Sequence, residues 1–228
     1  MKPREKWAVE LRRLPRSAWP DFLAEHSGLP GPRANTELAI AYAELADSAD
    51  IDPAIASADE YLAMCGSVAL GARATDPAAL AKLHRLAGDP RWRIREAVAM
   101  GLQLLADNNF SDLERIVEAW VEDRDPLVVR AAAAAICEPR LLGTPQAAAV
   151  AITVCDTATN VITGWPTDAR TDPSLRSLRQ TLGYCWSVAV AADPENGLPA
   201  FRSLDDTDPD VTWIVGQNLR KKRLSRLV

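Results

Sequence analysis

The stretch DPRWRIREAVAMGL (residues 89–102) places three arginines and a tryptophan within the five positions 91–95. A guanidinium is a planar fork of donors that fits a carboxylate or a phosphate through two parallel bonds. An indole adds one donor and a flat face, a common anchor for a bound partner. Both residue types recur. Arginine returns at related positions as Arg95, Arg130 and Arg179, and tryptophan as Trp92, Trp186 and Trp213. The chemistry on offer is recognition rather than bond making. The sequence contains no Gly-rich phosphate loop, no GxSxG and no HExxH. Its two histidines, His26 and His84, lie apart from Cys137, Cys155 and Cys185, and the four cysteines (with Cys65) include no CxxC pair. No catalytic residue, no cofactor and no metal are expected on this reading.

Whatever positions these residues is built mainly from alanine and leucine. The 228 residues are 48% apolar but only 6% aromatic, with seven Trp. Alanine favours helix because it loses no side-chain entropy there. The formal net charge is −5, which argues against a generic nucleic-acid coat while leaving room for a local basic patch. Lys occurs only at 2, 6, 82, 221 and 222, so 21 of the 26 cations are Arg. The cysteines sit in apolar surroundings, as small buried hydrophobes do. The N-terminus MKPREKWAVELRRLP has no apolar signal core, and no run of about 18 apolar residues stands out. A soluble, cytoplasmic protein with no membrane partner is the expectation.

Asp-Pro is the punctuation of this chain. It occurs at 52–53, 76–77, 89–90, 125–126, 172–173, 193–194 and 208–209. Asp caps the free N–H groups of a first helical turn, and Pro at the first helical position gives up nothing. Each pair therefore predicts a helix start. The intervals are 37 residues from Asp52 to Asp89, 36 from Asp89 to Asp125, and 36 from Asp172 to Asp208. Two helices per period of this length imply an α-solenoid. Five pairs follow: 34–47 with 52–71, 77–87 with 90–106, 110–122 with 126–138, 144–162 with 173–192, and 195–204 with 209–225. A short helix near 17–26 and the loop SGLPGPR (27–33) precede them. The domains expected are thus 1–33, an N-terminal helical cap and loop, and 34–228, the repeat array.

DPRWRIREAVAMGL and DPLVVRAAAAAI resemble the HEAT-repeat pattern of Asp-Pro, a short variable stretch, Val/Ile-Arg and a small-residue apolar helix. DPSLRSLRQTLGYC is a fair match. DPDVTWIVGQNL departs, with Thr212 in place of Arg, and the unit at 52–71 lacks the Arg. The resemblance implies an all-α, right-handed α-solenoid of about five HEAT-like (armadillo-like) helix pairs, and by itself no activity. On a helical wheel Ile94, Val98, Gly101 and Leu105 form one buried stripe, while Trp92, Glu96 and Gln103 face away. Gly101 in mid-helix costs about 1 kcal/mol against Ala, which close approach of a neighbouring helix would explain.

In HEAT-like pairs the second helix lines a concave groove, so the expected groove residues are Trp92, Arg95, Glu96, Gln103, Arg130, Arg179 and Trp213. Two readings of the arginine column stay open. Each Arg can reach a capping Asp or a free carbonyl of the adjacent unit, forming a ladder, or the column can bind anionic groups of a partner. The basic run LRKKRLSRLV (219–228) can likewise serve as a helix C-terminal cap or contact nucleic acid or an acidic partner. The leading expectation is a non-enzymatic scaffold that holds a protein or peptide in the groove, with Trp213→Ala abolishing capture. The alternative is DNA. Bacterial alkylpurine DNA glycosylases have a HEAT-like architecture with Trp, Asp and Arg in the cleft, and this chain offers Trp92, Trp186, Trp213, Arg95, Arg130 and Glu96, though no position matches that family's catalytic Asp.

Overall fold

The computed structural model describes residues 2–228. Among them there are thirteen α-helices and no strand. These are α1 (Pro3–Arg13), α2 (Trp19–Glu25), α3 (Thr36–Leu45), α4 (Ser48–Ala56), α5 (Glu60–Gly71), α6 (Pro77–Ala87), α7 (Trp92–Asn108), α8 (Phe110–Trp120), α9 (Pro126–Ile136), α10 (Pro145–Gly164), α11 (Pro173–Ala192), α12 (Pro194–Arg202) and α13 (Pro209–Leu219). The chain divides into two compact units, residues 1–105 and 106–228.

Asp-Pro starts helices as expected at most sites. The carboxylates of Asp76, Asp125, Asp172, Asp193 and Asp208 each accept an N–H from the first turn of the helix they precede. Asp89 accepts from the N–H of Arg91. Asp52-Pro53 is the exception, and the predicted helix 52–71 is two helices. Asp47 starts α4 five residues earlier through a capping box with Asp50, which leaves Pro53 inside the helix. Asp59 then caps α5 through the N–H groups of Tyr61 and Leu62. A second difference lies at the N-terminus, where α1 precedes the short helix that the sequence predicted alone. Pro3 opens it, Glu5 folds back onto the N–H of Lys2 at 2.9 Å, and Arg12 and Arg13 sit in its last turn.

In the first unit α5 is central. It packs on α2, α3, α4 and α6, and α1 packs on α3. Arg73, just beyond α5, donates to the carbonyls of Ala43 (3.1 Å), Ala46 and Ala69 (2.8 Å), so one guanidinium satisfies the open end of α3 and the last turn of α5. The stripe Ile94, Val98, Gly101 and Leu105 of α7 is buried. Gly101 lies against Gly71 of α5: a Cβ on either would stand 2.7 Å from the other's Cα. This contact is the physical reason for glycine in the middle of α7.

The second unit is two layers of helices. α9, α11 and α13 form one, with α11 between its neighbours; α8, α10 and α12 form the other, with α10 between. α10 and α11 pack along each other and carry much of the core, including Trp186, which is fully buried and donates through Nε1 to Thr159 Oγ1 at 3.0 Å. Trp120 is also buried. Asn218 of α13 reaches into α11, donating to the carbonyl of Leu182 at 2.8 Å and accepting the N–H of Ser187 at 2.8 Å. α10 is long and apolar enough to cross a membrane by length and composition, which the sequence reading passed over. Its packing against α8, α9, α11 and α12 is that of a core helix. Burial raises the pKa of the Cys65 and Cys155 thiols, consistent with small, inert core residues.

Candidate functional site

The three arginines of residues 91–95 are occupied within the first unit. Arg91 grips Asp89 with two bonds, Nε to Oδ1 at 3.0 Å and Nη2 to Oδ2 at 2.9 Å. That bond holds the Asp89 carboxyl below its ordinary pKa. Arg93 donates to Glu60 Oε2 at 3.0 Å, and its guanidinium lies 4.7 Å from the centre of the Trp92 ring. Arg95 donates to the carbonyls of Asp89 (2.7 Å) and Pro90 (3.0 Å), tying down the loop before its own helix. Thr212 does the same work before α13, donating to the carbonyls of Asp206 and Asp208. Trp92 is 52% exposed, while Glu96 and Gln103 are half-buried on α7.

The other expected groove residues lie on the successive helices α9, α11 and α13 of the second unit. Arg130 is buried and donates from Nε to Thr181 Oγ1 on α11 at 3.2 Å. Arg179 donates to Asp210 Oδ1 at the start of α13 and lies over the Trp213 ring, 4.9 Å from its centre. The indole is seated by an absence: a Cβ on Gly183 would fall 2.9 Å from Trp213 Cζ3. Only glycine there lets the ring lie flush on α11. Arg170 reaches Asp208 and stands 3.6 Å from Asp210 Oδ2. Asp210 is therefore a carboxylate between two guanidinium groups.

Three residues absent from the sequence expectation complete this face. Arg176, Gln180 and Tyr184 are exposed one turn apart on α11, opposite the buried Leu175, Leu178 and Leu182. The Tyr184 ring is 40% exposed. It stands 4.9 Å from the Arg223 guanidinium and 5.8 Å from Lys221 Nζ, and its hydroxyl accepts from Arg223 Nη2 at 3.1 Å. The four-residue spacing was the signal that could have found them.

Charge is unequally shared between the two layers of this unit. Helices α9, α11 and α13 with residues 220–226 hold Arg130, Arg176, Arg179, Arg220, Lys221, Lys222, Arg223 and Arg226 against Asp210 and the capping carboxylates Asp125, Asp172 and Asp208. Helices α8, α10 and α12 hold Asp112, Glu114, Glu118, Asp156 and Glu195 against Arg115 and Arg202. The chain's negative net charge thus conceals a cationic, aromatic layer. Among the described residues no cluster of His, Cys, Asp or Glu is placed to hold a metal ion.

The class that this fold defines is the HEAT-like helical solenoid, all-α and built from stacked helix pairs. Among solved structures, the chain is similar to the X-ray crystal structure of AlkD2 from Streptococcus mutans, with a TM-score of 0.64 over 90% of this chain and 98% of that one, at 14% sequence identity. No protein-family model and no curated protein matches the chain.

Proposed function

We propose that the protein binds duplex DNA, as a HEAT-like protein of the alkylpurine DNA glycosylase kind, through the cationic and aromatic face of α9, α11 and α13. The observation that carries this reading is the segregation of charge between the two layers of the second unit: Arg176 on α11 and Arg220, Lys222 and Arg226 just beyond α13 are exposed, and exposed cations are what release counterions from phosphate. The architecture shared with AlkD2 of Streptococcus mutans supports it. It is preferred to the protein- or peptide-binding scaffold, since a peptide on this face would have to match the same cations. Base excision asks for more, namely a carboxylate free to stabilise the positive charge that develops on the sugar. Asp210, the one acid in these three helices, is neutralised by Arg179 and Arg170, so binding is the function proposed.

Arg176 and Tyr184 are the cleanest probes because both are exposed, whereas Trp213 is half-buried and also fills the slot at Gly183. Arg176→Gln should weaken binding of a fluorescent duplex across all sequences and reduce the salt slope by about 1. Its melting temperature should stay at the wild-type value. Tyr184→Ala should also weaken binding without unfolding. Unchanged affinity in both variants would remove this face from the proposal. Incubation with alkylated duplex DNA should release no base above a heat-killed control. Release would instead establish excision and assign a carboxylate that the present reading does not.

A further inference from the structure

The opposite layer of the second unit carries a groove of about 460 Å³ between α8 and α10. One wall is Glu114, Glu118 and Glu122, a helical turn apart; Val121, Val150 and Val154 form the buried floor, and Ala149 and Thr153 are exposed on the other side. Glu114 receives the amide of Gln146 at 2.9 Å, while Glu118 and Glu122 are exposed. No cation of the described residues lines this groove. An apolar lining beside a row of carboxylates complements a segment that is both basic and apolar.

The same chain displays such a segment. Of the five exposed large hydrophobic residues among those described, Leu219, Leu227 and Val228 fall within 219–228, the positions that carry Arg220, Lys221, Lys222, Arg223 and Arg226. Lys221 and Arg223 turn towards Tyr184, and Leu224 anchors the segment in the core. Arg220, Lys222, Arg226, Leu227 and Val228 are left exposed. Lys222 and Arg226 are four residues apart, the spacing of Glu118 and Glu122. The segment contacts Tyr184 of α11, and none of its residues lines the α8/α10 groove of its own molecule.

We propose that the α8/α10 groove receives residues 219–228 of a second copy of this chain, with Lys222 and Arg226 against Glu118 and Glu122 and Leu227 and Val228 over Ala149 and the valine floor. The two surfaces differ, so the contact is head-to-tail and can propagate. Lys222 and Arg226 are also cations of the proposed DNA face, but the association is tested without DNA. It is tested by sedimentation velocity of the full chain over a concentration series, at low salt and at about 0.5 M salt, where exposed pairs are screened. The mean mass should rise with concentration at low salt and fall back at high salt. The double variants Glu118→Lys/Glu122→Lys and Lys222→Glu/Arg226→Glu should each stay monomeric, with association weakened at least about tenfold. Mixing the two should restore association, because each charge-reversed surface then meets its complement; misfolded variants could not do this. A wild-type chain that stays monomeric throughout, or a mixture that fails to associate, would overturn the proposal. Double variants that associate as the wild type does would overturn it as well, whatever the tail change does to DNA affinity.

Discussion

Gly101→Ala is expected to destabilise the first unit by about 2–3 kcal/mol, lowering the melting midpoint by roughly 5–10 °C. Two effects oppose each other here. Alanine in mid-helix gains about 1 kcal/mol over glycine in propensity. Against that, the new methyl would stand 2.7 Å from Gly71 Cα and 2.7 Å from the carbonyl oxygen of Val68. Both are backbone atoms and cannot rotate aside, so α5 and α7 must separate, and the steric cost wins. Gly216→Ala is the matched control. Gly216 also lies within a helix, α13, yet a Cβ there meets nothing within 4 Å. That variant should melt at or slightly above the wild-type temperature, by up to about 1 kcal/mol of stability. Equal melting curves for the two variants, by circular dichroism, would contradict the close approach.

Trp186→Ala should be the more damaging change, at about 3–5 kcal/mol and roughly 10–15 °C. Trp186 is fully buried, its ring centre lies 5.7 Å from that of Phe201, and its Nε1 donates to Thr159 Oγ1. Removing it opens a cavity between α10, α11 and α12 and takes from Thr159 the indole partner its hydroxyl accepts from. Trp92→Ala removes the same mass from a half-exposed site and should shift stability by no more than about 0.5 kcal/mol. A melting point for Trp186→Ala within a degree or two of wild type would mean that the core of the second unit is not as described.

These contrasts mark how far the sequence could be read. Asp-Pro capped five helix starts because capping is local chemistry, settled within four residues of the carboxylate, and at Asp89 it fell three residues ahead of α7. It failed at Asp52 because Asp47 with Asp50 forms a stronger local start, and one helix cannot begin twice. The buried stripe of α7 and the tight contact at Gly101 were legible from helical periodicity. The site was less so. Arginine count drew attention to residues 91–95, but Asp89 and Glu60 engage Arg91 and Arg93, one of them from a helix 33 positions away. Arg176 and Tyr184 stand at a four-residue spacing that the sequence displays, but which face of α11 they occupy follows from its packing on α10. The seat of Trp213 needs the pairing of α11 with α13, since Gly183 and Trp213 are 30 residues apart and no local rule joins them.

The central claim is that the layer formed by α9, α11 and α13 binds DNA through its cations. Its most direct test is an anisotropy titration of a labelled duplex with the full chain at several salt concentrations, with polyglutamate as competitor. With about four phosphates contacted, affinity should fall roughly 100-fold between about 50 and 200 mM salt, and polyglutamate should compete poorly. No binding at the lowest salt, or binding that salt leaves unchanged, would contradict the account.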